Sequence, residues 1–127
     1  MLTPSLRPLS AALLGLGLAS VLLVACSGDP PKDPALMTAP ELFQANCARC
    51  HGRAGEGSFL APRLERIPER WDRKRLVRYM RDPAPVIAAD PRLRKQGMRY
   101  AGPMPAFQQL TPKMRGKLAD WLLAGRP

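Results

Sequence analysis

The apolar positions between residues 38 and 52 repeat at the spacing of an α-helix. Phe43, Cys47 and Cys50 stand at i, i+4 and i+7, which places all three on one face. Thr38 begins a capping box with the glutamate three residues later, in which each residue accepts a hydrogen bond from the other. The pattern predicts a helix that starts at Thr38 and ends at Gly52.

A second apolar period lies near the end of the chain. Its members, at i, i+4, i+7 and i+8, are Met114, Leu118, Trp121 and Leu122. Thr111 is suited to be an N-cap, the proline after it suits a first helical position, and Gly125 stands just past the last apolar residue. These signals predict the last helix of the chain.

Proline and glycine interrupt the pattern between these two helices. Asp72 caps one short predicted helix, and Pro83 stops it. We expect loops at residues 53–70 and 83–110, because no helical period persists there. No segment alternates as a strand would. The sequence predicts an all-α protein with two flanking helices, a short middle helix and long loops.

The N-terminal region has a different composition. The apolar run AALLGLGLASVLLVA ends at Cys26, and LVAC resembles the bacterial lipobox, in which the cysteine carries a lipid and becomes the mature N-terminus. We predict a lipoprotein signal peptide at residues 1–25 and lipidation of Cys26. The alternatives are an uncleaved anchor and an ordinary signal peptide. In each case the protein is exported and held at a membrane, facing the periplasm or the cell exterior.

Residues 26–37 are rich in proline and poor in apolar side chains. We predict that they form an extended tether, of which residues 27–36, at about 3 Å per residue, would hold the domain roughly 30 Å from the membrane. The folded domain is then residues 38–127. A domain of this size is marginal on its side chains alone and often recruits a metal or a cofactor.

The stretch CARCH contains two cysteines, Cys47 and Cys50, and the only histidine, His51. Its spacing fits a redox disulfide, half of a zinc site, or covalent haem. A redox pair is expected at the start of a helix near a βαβ unit, and a closed zinc site needs a fourth ligand that the chain does not supply. Covalent haem uses every part of the motif, because the two thiols bond the porphyrin and His51 ligates the iron.

With this motif, the chain from Thr38 onward resembles a small class I cytochrome c. The likeness also includes APRL at residues 61–64 and GPMPAFQQLT at residues 102–111. It implies a cytochrome c fold, in which N- and C-terminal helices cross beside a short middle helix and long loops surround one covalent haem c.

The resemblance also assigns the axial ligands of the iron. His51 would be the proximal ligand, and its second nitrogen would donate to the carbonyl of Pro62. Met104 would be the sixth ligand. Met98 is its rival, since it also stands in a predicted loop.

The resemblance implies roles for aromatic residues as well. Trp71 or Tyr100 would hydrogen-bond a haem propionate. Phe43 of the first helix would pack against Leu118 and Trp121 of the last helix.

The chain is strongly basic, with a formal net charge of +10, and removal of the signal peptide would take away only one charge, Arg7. This charge could attract anionic lipid, steer an acidic redox partner, or bind nucleic acid. Export argues against nucleic acid. Lys113, Arg115 and Lys117 lie close in sequence to Met104, so we expect them to form a docking face.

The function predicted from these observations is one-electron transfer between exported or membrane-bound redox partners, without enzymatic activity or a small-molecule substrate. Two alternatives stay open. One is a haem-based ligand sensor or weak peroxidase with a labile sixth ligand. The other is an electron-conduit subunit fixed in an oxidoreductase complex.

Overall fold

The structure, a computed structural model, describes residues 30–125 and contains seven α-helices there. In chain order they are α1 (Ala39–Asn46), α2 (Ala48–His51), α3 (Ile67–Arg70), α4 (Arg73–Arg81), α5 (Pro83–Ala89), α6 (Pro91–Gly97) and α7 (Pro112–Leu123). A turn of 3₁₀ helix, Pro34–Leu36, precedes them. Residues 30–125 contain no strand, so the predicted all-α class is confirmed.

Helix α7 lies at the centre of the fold, where it packs against both α1 and α4. The largest fully buried side chains are Phe43 and Leu42 of α1 and Leu118 of α7. The rings of Phe43 and Trp121 lie 5.2 Å apart between centroids, in a tilted arrangement. Such an aromatic pair adds about 0.5–1.5 kcal/mol beyond the burial of its area. The predicted packing of the first helix on the last is therefore confirmed.

Side-chain caps begin three of the helices where the sequence placed them. The Glu41 carboxylate accepts hydrogen bonds from the backbone N–H and the hydroxyl of Thr38, at 2.7 and 2.8 Å. Asp72 accepts from the N–H three residues further on at 2.8 Å, and Thr111 accepts from the N–H of Met114 at 3.3 Å. The predicted starts of α1, α4 and α7 are confirmed.

The single helix predicted from residue 38 to 52 is divided in two at Cys47. The Asn46 side chain donates to the carbonyl of Leu42 at 2.8 Å, which competes with the regular backbone bond. Cys47 has φ −113°, yet its N–H still donates to the Phe43 carbonyl at 2.8 Å, so the chain continues into α2. Gly52, with φ +81°, ends α2 as expected.

The prediction of a loop over residues 83–110 is wrong, because α5 and α6 occupy its first half. Each of these helices starts with a proline that directly follows an aspartate. Asp90 caps α6 by accepting from the N–H of Arg92 at 2.8 Å. Helix α3 likewise lies inside the loop predicted at residues 53–70, with Pro68 in its first turn. These prolines start helices because their fixed φ and missing N–H suit a first turn.

Residues 32–37, which we call the N-terminal arm, lie against the domain. Lys32 pairs with the Glu41 carboxylate at 2.7 Å. Lys117 of α7 donates to the carbonyl of Met37 at 3.0 Å. The prediction of a fully extended tether is therefore wrong for this part, because the arm turns at its 3₁₀ helix and finds partners on the domain.

The predicted signal peptide, residues 1–25, and the predicted lipidation site, Cys26, lie outside the described residues. Within residues 30–125, none of the helices is long and apolar enough to cross a bilayer.

Candidate functional site

The two thiols of CARCH stand on one helical turn beside the imidazole. The N–H groups of Cys50 and His51 both donate to the carbonyl of Cys47, at 3.1 and 3.0 Å. Within residues 30–125 neither cysteine forms a disulfide, and both are half-buried. Two free thiols and an adjoining imidazole in this arrangement are the donor set that covalent haem requires. The residues present therefore fit this cofactor.

The electrostatics of Cys47 do not support the redox-disulfide alternative. Burial, together with the neighbouring Cys50, raises the pKa of the Cys47 thiol to about 11. A redox-active cysteine needs a lowered pKa so that it is a thiolate at neutral pH. The zinc alternative also lacks support, because residues 30–125 contain no cluster of three or more His, Cys, Asp or Glu that could hold a metal ion.

His51 is oriented by one backbone carbonyl. Its Nδ1 lies 2.7 Å from the carbonyl oxygen of Pro62. Because a carbonyl only accepts hydrogen bonds, Nδ1 carries the hydrogen and Nε2 is left with its lone pair. Burial lowers the pKa of His51, while its bond to Pro62 opposes the shift. The imidazole is therefore neutral at pH 7, in the tautomer that can ligate a metal through Nε2.

The loop that carries Pro62 is folded back onto the CARCH turn. The Gly57 N–H donates to the His51 carbonyl at 2.7 Å, and the Ser58 hydroxyl donates to the Cys50 carbonyl at 2.6 Å. Gly57 has φ +82°, and an added Cβ would lie 2.6 Å from the backbone nitrogen of Arg63. The sequence analysis missed Gly57 and Ser58 as parts of the site. The only signal was the glycine itself, at a position where no turn type could be assigned.

The two candidate methionines lie in different environments. Met104 is half-buried and packs against the main core, as do Cys47 and Leu64. Met98 is 81% exposed. The loop after Met104 is fastened to α4, since the N–H of Phe107 donates to the Met80 carbonyl at 2.8 Å.

Trp71, one of the two aromatics assigned to a propionate, sits in a cluster with charged residues. Its ring lies 4.8 Å from that of Tyr79, and the guanidinium of Arg75 lies 4.8 Å above its centroid. Arg92 lies 5.6 Å from the same centroid, and both arginines pair with Asp90. The sequence analysis missed these three charged residues: it interpreted the region of Asp90 and Arg92 as loop, and it gave Arg75, on the predicted middle helix, no role.

Tyr100, the other assigned aromatic, is half-buried in the segment between α6 and the Met104 loop. In residues 30–125 neither its hydroxyl nor the Trp71 indole has a protein hydrogen-bond partner. Both side chains therefore keep a donor available, and their role toward a propionate stays a prediction.

The docking face expected from Lys113, Arg115 and Lys117 is not formed. Arg115 is only 6% exposed and donates to carbonyls within the protein. Lys117 is half-buried and donates to the N-terminal arm. Of the three, only Lys113 is exposed. The expectation was wrong because it followed nearness in sequence, whereas successive residues of a helix point in different directions.

An all-α domain with a histidine held in the metal-binding tautomer directly after two free thiols belongs to the class of covalent haem proteins. The family profile described as Cytochrome c matches residues 37–125, so the chain belongs to the cytochrome c family. Its members bind haem c covalently through Cys-x-x-Cys-His, the motif that Cys47, Cys50 and His51 form here, and transfer electrons. A search of curated proteins and a search of solved structures each gave no match.

Proposed function

We propose that this protein is a one-electron carrier that holds one haem c through Cys47 and Cys50, with His51 and Met104 as axial ligands. The observation that carries the proposal is the 2.7 Å bond from His51 Nδ1 to the Pro62 carbonyl. This bond fixes the tautomer and the ring orientation, and it makes Nε2 a better ligand. Haem c supplies an iron that gains and loses one electron.

The protein's own residues restrict that chemistry to electron transfer. Met104 packs against the core between Pro103 and Pro105, whose fixed φ angles restrain the backbone on both sides. A ligand that moves little keeps the reorganisation small when the charge changes. A filled sixth position leaves no place for a substrate, which supports a carrier and not an enzyme.

The N-terminal arm bears on the proposed membrane attachment. With a lipid on Cys26, only residues 26–31 would be free of the domain. At about 3 Å per residue they span roughly 20 Å. The carrier would then work close to the membrane, among membrane-bound partners.

The exposed face of α4 supports an acidic redox partner. Lys74, Arg78 and Arg81 stand at i, i+4 and i+7, so they form one row, and all three are exposed. None of them takes part in an ion pair within residues 30–125. Helix α4 also contacts the Met104 loop through the Met80 carbonyl. We propose that this row, which we call the α4 row, steers an acidic partner toward the sixth-ligand side of the site.

The test of the axial ligands is a reduced-minus-oxidised visible spectrum of the exported protein, repeated after addition of carbon monoxide. We expect a c-type spectrum that carbon monoxide does not change. A spectrum that shifts would indicate an open sixth position, and the sensor or peroxidase alternative would replace the carrier. A protein that matures without haem would overturn both.

Purification at low and at high salt separates a free carrier from a fixed subunit. A partner attracted by charge dissociates at high ionic strength, because exposed charges are then screened. We expect the protein to elute alone at high salt. A stoichiometric complex that survives would indicate the conduit subunit.

A further inference from the structure

Arg115 stands out as the only charged side chain of residues 30–125 that is more than nine-tenths buried. It lies on α7 among the apolar positions that face the core. None of the ion pairs in residues 30–125 includes it. It also stands in the first turns of α7, where a positive charge opposes the helix dipole. Its position is therefore unfavourable unless hydrogen bonds compensate.

The hydrogen bonds of Arg115 are directed at a single segment. Its Nη1 donates to the carbonyl of Phe107 at 3.2 Å and to the carbonyl of Leu110. Its Nε is buried and has no hydrogen-bond partner among the described residues. Hydrogen bonds from a charged donor are stronger than those between neutral groups. The guanidinium thus holds two backbone carbonyls of the loop that follows Met104.

This loop is held from two sides. Phe107 and Leu110 follow Met104 by three and six positions. The N–H of Phe107 donates to Met80 of α4 at 2.8 Å, while its carbonyl accepts from Arg115 of α7. The Leu110 N–H donates to the Phe107 carbonyl at 3.2 Å, which closes a turn between the two carbonyls. Without Arg115, the segment would keep its core packing and its hydrogen bond to α4, but it would lose its side-chain hydrogen bonds to α7.

We propose that Arg115 is a positioning residue for the sixth ligand: by fixing the Phe107 and Leu110 carbonyls, it restrains Met104 and keeps other ligands from the iron. The inference rests on the proposed His/Met ligation. An added ligand binds only to the fraction of molecules in which the methionine has moved away, so its apparent affinity measures that fraction. Arg115 should control this fraction more strongly than it controls global stability.

The experiment titrates the oxidised holoprotein with imidazole and follows the far-red charge-transfer band of methionine-bound ferric haem. We expect R115M to raise the apparent imidazole affinity about 30-fold, since two charge-assisted hydrogen bonds to the loop are lost. At 1.4 kcal/mol per tenfold this corresponds to about 2 kcal/mol. We expect R115K, which keeps the charge with fewer donors, to raise it about fivefold.

Two control variants separate positioning from charge and from stability. K113M removes the same charge from an exposed site on α7 and should leave the imidazole affinity unchanged. L122A creates a cavity in the core at the far end of α7, so it should lower the thermal midpoint without changing the imidazole affinity.

The outcomes distinguish the inference from the proposed function. A wild-type protein without the far-red band would overturn the His/Met ligation, and the role of Arg115 with it. A wild-type protein with the band, and an R115M variant that binds imidazole as the wild type does, would overturn the inference alone. An equal effect of K113M or L122A would overturn it as well. If R115M does not mature with haem, R115K decides by the same measurement, and wild-type affinity in that variant overturns the inference.

Discussion

Gly57 has a backbone conformation that glycine adopts more readily than any other residue, at a point where the loop meets the CARCH turn. Its φ is +82°, and its N–H donates to the carbonyl of His51 at 2.7 Å. The same loop returns the carbonyl of Pro62 to the ring of that histidine. The orientation of His51, the proposed metal ligand, therefore depends on a residue that has no side chain.

The substitution G57A should destabilise the protein by about 1–2 kcal/mol, because an L-residue is strained in the left-handed region. The close approach to the Arg63 backbone, 2.6 Å from an added Cβ, would increase this cost. Thermal unfolding measures it. The control is G97A, where an added Cβ meets nothing within 4 Å. Equal midpoints for the two variants would contradict the role of Gly57.

A second prediction at the residue scale concerns acid stability. A hydrogen bond from Lys32, followed by those from Thr38, lowers the pKa of Glu41 from 4.5 to about 2. A carboxyl group with a lower pKa in the folded state adds stability above its ordinary pKa and loses it as the pH falls through the folded value. The E41Q variant should therefore flatten the dependence of the thermal midpoint on pH between about 4.5 and 2.

The control for this measurement is E65Q, since the nearest cation to Glu65 is Arg63 at 3.6 Å, and both side chains are well exposed. We expect the E65Q curve to run closer to that of the wild type. Curves for E41Q and the wild type that stay parallel across the window would show that Glu41 does not contribute acid-dependent stability.

The roles that could be predicted are those of residues whose partners lie close to them in sequence. The caps of Thr38 and Thr111 and the CARCH turn depend on residues within four positions, and the sequence was sufficient for them. Arg115 was wrongly assigned to a docking face because the fold brings its carbonyl partners to it, although its spacing of three and seven residues from Leu118 and Leu122 was a signal that it is buried. Gly57 was missed for the same reason.

At the scale of elements, proline both ends and begins helices in this chain. The sequence analysis interpreted Asp-Pro pairs as stops, and at Asp82 the pair does end α4. The same pair also begins α5, and Asp90 with its proline begins α6. Whether a helix follows such a pair depends on whether the apolar side chains of the following segment can be buried in the fold. Here Val86 and Leu93 are buried. No short-range pattern in the sequence predicted their burial.

Asp90 offers a test of how these helices are held. It caps α6 and pairs with Arg75 and Arg92, which both lie over the Trp71 ring. We expect D90A to destabilise the protein by about 3 kcal/mol, through loss of the cap and of a largely buried ion-pair partner. D90N can still cap, so it should cost only about 1–2 kcal/mol. Denaturant unfolding measures both changes.

The matched control is D82A, because Asp82 precedes α5 in the same sequence context but makes no capping hydrogen bond. We expect D82A to change the free energy of unfolding by less than about 0.5 kcal/mol. A D90N variant as stable as the wild type would show that the two ion pairs contribute nothing. A D82A variant as unstable as D90A would contradict the distinction between the two caps.

At the scale of the whole molecule, acidic groups offset only part of the basic charge. Within residues 30–125 the ion pairs engage four acidic partners besides Asp90: Glu41, Glu65, Glu69 and Asp120. The α4 row is among the cations that they leave unpaired. Net charge could be counted from the sequence, but which cations are free could not, because pairing across elements depends on the fold.

Charge reversal tests whether the α4 row steers partners. We expect the double variant K74E/R78E to slow reduction by an anionic reagent, ferrocyanide, by about tenfold at low ionic strength. The control is K95E/R99E, which changes the net charge equally at exposed positions on and after α6. The difference between the two variants should vanish at high salt. Equal slowing by both would show that only net charge matters and would contradict docking at this row.

If Cys26 carries the proposed lipid, the N-terminal arm also has a consequence for how the membrane confines the domain. A lipid-anchored domain samples a volume that grows as the cube of its reach. Halving the free chain, from residues 26–37 to residues 26–31, would therefore raise the effective concentration of the domain at the bilayer about eightfold. Such an anchor would also limit how far the domain can rotate, because the arm leaves it at a fixed point beside α7, where Lys117 donates to the Met37 carbonyl at 3.0 Å. This one hydrogen bond would thus restrict which faces of the domain a neighbour in the same membrane could meet.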